Sequence, residues 1–152
     1  MNKRGQKIVI VVGVVGVCGL FALGSLVGAA VVGYRAVMRA GAEAATVQNL
    51  KTIAAVEAHY FIGHDRTYAT FDQLLSEKGL SSKFGGHPVR ADDYVFNLTV
   101  SPKADGSSWY KLTADPVSES GGGRHFYFDS DDGQVRVNAD RQAGPTDPVN
   151  PD

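Results

Sequence analysis

Residues 44–61 read AATVQNLKTIAAVEAHYF, and this alanine-rich stretch decides the fold. Its larger apolar side chains recur at spacings of three and four residues, and no proline interrupts residues 34–61. That periodicity is typical of an amphipathic helix, which buries one face and exposes the other. The side chains that we expect to dock on the rest of the domain are Val47, Leu50, Ile53 and Ala54.

The polar residues of the same stretch complete the prediction. We expect Glu43, Glu57 and their polar neighbours to fall largely off the docking face. Gly63 is followed by His64 and Asp65, a combination that favours the end of a helix. The sequence therefore predicts one amphipathic helix that ends near residue 63.

The segment before this helix has a different composition. Residues 8–33 contain no charged side chain, and residues 1–7 carry Lys3, Arg4 and Lys7. A bilayer core is crossed by about 20 apolar helical residues, and basic flanks stay on the cytoplasmic side. We therefore expect a transmembrane helix over residues 8–33 that continues into the amphipathic helix, with a cytoplasmic N-terminus over residues 1–7.

Small residues form a stripe on the predicted transmembrane helix. At 100° per residue, four glycines share one sector of its surface, and two of them form a G-x-x-x-G pair. Such a stripe lets a second helix approach closely, although glycine is also common in membrane helices for other reasons. We expect helix–helix contacts at Gly13, Gly16, Gly24 and Gly28.

The period of the apolar residues changes downstream. A short helix is predicted over residues 70–78, and four strand patterns follow at residues 94–100, 109–114, 125–128 and 134–137. Turn-forming residues separate these strands, which favours an antiparallel meander. We predict an α+β fold in which the long N-terminal helix lies across a small four-stranded antiparallel sheet, forming a head over residues 34–140. Residues 141–152 contain three prolines and are expected to be a disordered tail.

Charge and cysteine content exclude several classes of function. The chain has 15 basic and 16 acidic residues, and three of the basic ones precede residue 8, so the head is mildly acidic and does not favour nucleic-acid binding. Cys18 is the only cysteine and cannot form an intrachain disulfide. The sequence contains no nucleophile elbow and no phosphate-binding loop. We predict no catalytic residue, no small-molecule substrate and no cofactor other than the calcium considered next.

One polar cluster has two interpretations. Residues 129–133 read DSDDG, and carboxylates this close together supply the oxygen ligands that calcium prefers. Aspartate and glycine also dominate ordinary hairpin turns, and the glutamate of a helix-loop-helix calcium site is missing. The candidate calcium ligands are Asp129, Asp131 and Asp132, with a plain turn as the alternative.

Several segments resemble a known family in their order and spacing. These are residues 44–53 (AATVQNLKTI), 68–74 (YATFDQL), 94–99 (YVFNLT), 126–127 (FY) and 133–136 (GQVR), behind a basic N-terminus and an apolar helix. Together they resemble bacterial type IV pilin-like proteins and the major pseudopilins of type II secretion. The resemblance implies a non-enzymatic structural subunit that associates with copies of itself or with other pilin-like subunits in a filament. It also implies a single-pass protein of the bacterial inner membrane with a periplasmic or extracellular head.

The N-terminus departs from the pattern of that family. Prepilins have a cleavage-site glycine followed by an apolar stretch with a glutamate at its fifth position, whereas here Gly5 is followed by Gln6 and Lys7 and no such glutamate. We therefore expect the N-terminus to remain uncleaved. The alternative function is a permanently membrane-tethered extracytoplasmic binding module that does not polymerise.

Overall fold

The computed structural model describes the backbone of residues 3–118 and 122–151 and, within those ranges, the side chains from residue 33 onward. The chain divides into two units, Met1–Met38 and Arg39–Asp152. Helix α1 spans Lys3–Gly63, helix α2 spans Phe71–Ser76, and a 3-10 turn covers Ser82–Phe84. The strands are β1 (Val89–Ala91), β2 (Tyr94–Pro102), β3 (Ser108–Pro116), β4 (His125–Asp129) and β5 (Arg136–Asn138).

The sheet is an antiparallel meander in which each strand pairs with its neighbour in sequence, in the order β1-β2-β3-β4-β5. Phe96, Ala114 and Phe126 lie opposite one another in one cross-strand row, and all three are buried. Because side chains alternate between the two faces of a strand, this row and every second row from it lie on the inner face of the sheet. The neighbouring rows, which include Asp115 opposite His125, lie on the outer face.

The predicted fold class is corrected in strand number, because the sheet has five strands rather than four. The additional strand, β1, has only three residues, too few for an alternating pattern to show in the sequence. A two-residue turn joins it to β2, and both turn residues, Asp92 and Asp93, have positive φ angles of 51° and 66°. Aspartate tolerates this left-handed backbone better than most residues, so a tight hairpin forms without glycine.

The predicted membrane helix requires a second correction. Among the residues whose side chains are described, no helix is both long enough and apolar enough to cross a lipid bilayer. The described part of α1 carries charged residues at short intervals, among them Arg35, Arg39 and Glu43. This finding contradicts the long N-terminal membrane helix of the predicted fold class, the single-pass topology and the inner-membrane location. The side chains of residues 8–32 lie outside the described part of the chain.

Helix α1 contributes one stripe of side chains to the core of the head. Leu50 and Ile53 are fully buried, and Val47 and Ala54 are partly buried against the same cluster. Aromatic side chains form much of the rest of the core, and Phe84, Phe96 and Phe126 are among its largest fully buried side chains. Burying this much apolar surface is the main source of stability in a head that has no disulfide.

The residues that flank this stripe differ from the prediction in one respect. Glu43 and Glu57, expected off the docking face, are both buried in it. Their spacing explains why, since Glu43, Leu50 and Glu57 follow one another at intervals of seven residues, and seven residues make almost two helical turns. The interface between α1 and the rest of the head therefore contains two carboxyl groups.

The short helix α2 begins where the sequence indicates. Thr70 is its N-cap, and its hydroxyl accepts a hydrogen bond from the backbone N–H of Gln73 while the Gln73 side chain accepts from the backbone N–H of Thr70. This reciprocal capping box satisfies two backbone donors that a helix start leaves free. Phe71 and Leu74 are the buried side chains of α2.

Residues 139–151, which we call the edge segment, do not form the disordered tail predicted for residues 141–152. Val149 forms an antiparallel bridge with Arg136 on β5. Backbone hydrogen bonds flank the bridge, from Val137 N–H to the Pro148 carbonyl and from Asn150 N–H to the Val135 carbonyl. Prolines cannot donate in a sheet, but their carbonyl groups still accept, so a proline-rich segment can cover an edge strand.

Candidate functional site

The interface between α1 and the rest of the head is the candidate site, because it holds two buried carboxyl groups, those of Glu43 and Glu57. Glu57 lies near the C-terminal end of α1 and is fully buried. Its Oε2 accepts a hydrogen bond of 2.9 Å from the backbone N–H of Ala69. Its Oε1 has no hydrogen-bond partner among the described residues. One carboxyl oxygen is thus anchored and the other is enclosed without a donor.

Burial determines the protonation of Glu57. Loss of contact with water raises the pKa of this carboxyl from 4.5 to about 7, and the Ala69 N–H lowers it by a smaller amount. The physical reason is that a charge removed from water costs far more than a neutral acid. Glu57 is therefore a carboxyl group that titrates near neutral pH inside the core.

The segment that connects α1 to α2, residues 64–70, is held by the partners of its amides. The Tyr68 N–H donates to Ser108 Oγ at 2.6 Å, and the Ser108 N–H donates to the Arg66 carbonyl at 3.1 Å. The Tyr68 ring stacks on Phe61 and makes an edge contact with Tyr110 on β3. The connection is thus tied to α1, through Glu57 and Phe61, and to the start of β3.

The other buried carboxylate of α1 has a different environment. Glu43 Oε2 forms a salt bridge of 2.8 Å with Arg124 Nε, and its Oε1 accepts from the Arg124 backbone N–H at 3.2 Å. Arg124 Nη1 also donates to Asn150 Oδ1, at 3.4 Å. Tyr94 donates its hydroxyl proton to the Arg124 carbonyl, and burial raises the pKa of this tyrosine to about 12. A single arginine therefore joins α1, β2 and the edge segment.

A smaller polar cluster ties the middle of α1 to the β1–β2 hairpin. Asn49 donates from Nδ2 to Asp92 Oδ2 at 2.7 Å and accepts at Oδ1 from Lys83 Nζ, also at 2.7 Å. Asn49 is buried, and the nitrogen and the oxygen of its side-chain amide thereby each have a partner. Thr46, one turn earlier, is also buried, and its hydroxyl oxygen has no partner among the described residues.

The candidate calcium residues form the β4–β5 turn, and each has protein partners. Asp129 Oδ1 accepts from the backbone N–H groups of Asp131 and Asp132, and Asp129 Oδ2 accepts from the Tyr127 hydroxyl. Asp131 pairs with Lys103 at 2.8 Å, and Asp132 pairs with Arg136. In the described chain, no three acidic, histidine or cysteine side chains are grouped so that they could hold one ion. The plain turn and the calcium site both stay predictions.

The edge segment is organised by Asp147, which is buried. Its Oδ1 accepts from Asn138 and Arg141, and its Oδ2 accepts from the Gly144 N–H. These hydrogen bonds lower the pKa of Asp147 below its usual range. Gln142 in the same segment donates to Asp115 Oδ2, whose other oxygen pairs with His125.

Helix α1 also has exposed surfaces in the described part of the chain. Tyr34, Val37 and Met38 are 66%, 70% and 57% exposed, and their spacing of three and four residues puts them on one side of the helix. An open groove of about 450 Å³ lies beside Gly79, with Ala55 and His59 among the α1 residues that line it.

The residues predicted from the sequence are therefore distributed over separate places. Leu50 and Ile53, with Val47 and Ala54 beside them, lie in the α1 interface, and the three aspartates lie in the β4–β5 turn. The predicted contacts at Gly13, Gly16, Gly24 and Gly28 fall outside the residues whose side chains are described. Sequence reasoning missed the two glutamates, although their seven-residue spacing from Leu50 is visible in the sequence. It also missed Arg124, for which the sequence offers no local signal.

Comparison of the chain with protein-family models, with curated proteins and with solved structures finds no match. The function of the chain is therefore inferred from its own residues.

Proposed function

We propose that this chain is a non-enzymatic, pilin-like structural subunit whose helix α1 associates with further copies of the chain. The observation that carries the proposal is the exposed apolar stripe formed by Tyr34, Val37 and Met38 on α1. Large apolar side chains grouped on one helix face are the usual sign of a surface that another protein covers. Farther along α1, Leu50 and Ile53 are fully buried in the core of the head, whereas these three side chains are exposed.

The distribution of charge supports a second copy as the partner. The first acidic residue of the chain is Glu43, and the charged residues before it are all basic, whereas the remaining chain is net acidic. A basic, apolar stretch of one copy is therefore complementary to the acidic head of another. Contacts between unlike surfaces of identical chains are heterologous, and such contacts generate rings or open filaments rather than closed dimers.

Sedimentation of the full chain tests this proposal. We expect wild-type protein to form species larger than a dimer at micromolar concentration, and to shift toward monomer as added salt screens the charge attraction. Val37→Asp places a charge in the apolar stripe and should yield monomer under conditions in which wild type associates. Asn97→Asp, on an exposed sheet position, is the matched control and should associate as wild type does.

The outcomes separate the two functional classes. Wild-type protein that stays monomeric over this concentration range would reject the structural subunit and favour a binding module that does not polymerise. Association that Val37→Asp leaves unchanged would show that the stripe is not the contact.

A further inference from the structure

Glu57 is placed to control the α1–α2 connection through its proton. Four consecutive backbone amides of this connection each donate a hydrogen bond. The Thr67 N–H donates to the His64 carbonyl, and the Tyr68 N–H donates to Ser108 Oγ. The Ala69 N–H donates to Glu57 Oε2, and the Thr70 N–H donates to Gln73 Oε1. Glu57 is the one fully buried ionisable group among these acceptors. Since Oε2 accepts from Ala69, the proton of the neutral acid lies on Oε1, the oxygen with no partner among the described residues.

Loss of that proton leaves a buried carboxylate whose one hydrogen-bond donor among the described residues is the Ala69 N–H. A buried carboxylate is normally stabilised by two or three donors or by a cation. Here the charge becomes hydrated if the connection lifts from α1 and admits water. The α1–α2 connection is a short surface segment, whereas on its other side Glu57 faces paired strands of the sheet. Opening the connection therefore costs less free energy than opening the sheet.

The groups that face Glu57 do not offer it a positive charge. From β3 it faces Tyr110, whose pKa is raised well above its usual range by burial and by the charge of Glu57 itself. Tyr68 faces the same place from the connection and packs edge-on against Tyr110. The ionisable groups nearby on α1 and α2 are engaged elsewhere, because His64 pairs with Glu77 at 3.1 Å and Asp72 pairs with His87 at 3.4 Å.

We propose that Glu57 is a proton-operated lock, which fastens residues 67–70 to α1 while it is a neutral acid and releases them when it ionises. The lock is closed in mildly acidic solution and opens as the solution reaches neutrality. It concerns the α1–α2 connection alone and does not depend on whether the chain forms a filament.

Native-state hydrogen exchange of the full chain, corrected for the intrinsic pH dependence of exchange, tests the lock. The equilibrium constant for opening at the amides of residues 67–70 should increase on the order of 100-fold between pH 4.5 and pH 7 and then level off, because the open form ionises near pH 4.5 and the closed form near pH 7. Glu57→Gln keeps an acceptor for Ala69 and removes the titration, so it should show no such step. His64→Gln removes the imidazole beside the connection, which pairs with Glu77, and should keep the step.

The amides of Leu112 and Ala114 in the central strand β3 supply the internal reference. The connection should open more readily than this strand at every pH above 5. If the amides of the connection and of β3 had equal opening constants in wild type at each pH, the Glu57 carboxylate would become hydrated only on global unfolding. That result would overturn the lock without the use of any variant. A step that persists in Glu57→Gln, or disappears in His64→Gln, would also overturn it.

Discussion

The buried stripe of α1 has a glutamate at each end, and the two carboxyl groups have different hydrogen-bond partners. At one end Glu43 receives two donors from Arg124, one of them in a salt bridge. At the other end Glu57 receives one backbone N–H, and burial brings its pKa to about 7. Both residues lie seven positions from Leu50 in an otherwise similar helix. The comparison shows that burial alone does not define the environment of a core carboxyl group, because Glu43 has an arginine partner and Glu57 has a single backbone donor.

The largest effect is expected from a carboxylate placed midway between the two glutamates. Leu50→Asp removes a fully buried apolar side chain and introduces a charge that has neither an arginine nor a free N–H. The free energy of unfolding should fall by about 4 kcal/mol or more at neutral pH. Chemical denaturation of the full chain measures it, with Ala58→Asp on the exposed side of α1 as the control. A loss below about 1 kcal/mol would contradict the proposed packing of α1.

The stability of the folded chain should depend on pH through Glu57. Folded protein keeps the proton of Glu57 up to about pH 7, whereas the unfolded chain loses it near pH 4.5. The stabilisation is therefore complete below pH 4.5 and is lost as the pH rises through 7, by up to about 3 kcal/mol. Denaturation of wild type at several pH values should show this decline, and Glu57→Gln should abolish it. An unchanged decline in the variant would assign it to another group.

Breaking the salt bridge should convert the Glu43 end into a second unpaired carboxyl group. Arg124→Met removes the guanidinium but keeps the backbone N–H that donates to Glu43. We expect a loss of about 2 kcal/mol at neutral pH, moderated because Arg124 is partly exposed. Adding Glu43→Gln to Arg124→Met should recover part of this loss. Thermal or chemical denaturation of the four proteins completes the cycle, and strictly additive effects would show that the two side chains are not coupled.

The smallest effect on stability is expected from calcium at the β4–β5 turn, because the aspartates of this turn already have partners in the protein. Calcium would have to displace Lys103 from Asp131 and Arg136 from Asp132. We expect millimolar calcium to change the melting temperature by less than about 1 °C, because a ligand stabilises the folded state only when it binds that state. A rise of several degrees that Asp131→Ala abolishes would establish the calcium site instead.

The pattern of α1 was accessible from the sequence because helical periodicity is local. The spacing of Leu50 and Ile53 indicates the side of the helix that the structure buries. The same arithmetic places Glu43 and Glu57 on that side, but polarity argues for exposure, and only the contacts made by distant residues reverse that expectation. Arg124 lies 81 positions from Glu43, so no local pattern could pair them.

The remaining differences have similar physical causes. Strand β1 depends on a turn formed by two aspartates, whereas the usual hairpin signal contains glycine. The edge segment has the composition of a disordered chain, but Asp147 supplies a local set of hydrogen bonds and β5 supplies donors for its carbonyl groups. The composition of a segment indicates how much apolar surface the segment can bury. It does not indicate which backbone N–H donors a neighbouring strand leaves unpaired.

The edge segment also determines where the sheet can grow. Strand β5 is the last strand of the meander, and the bridge from Val149 occupies its outer edge. A chain shortened before residue 139 would expose the N–H of Val137, which now donates to the Pro148 carbonyl, as a template for a strand of another molecule. Such a truncation should increase the tendency to aggregate through β-strand addition.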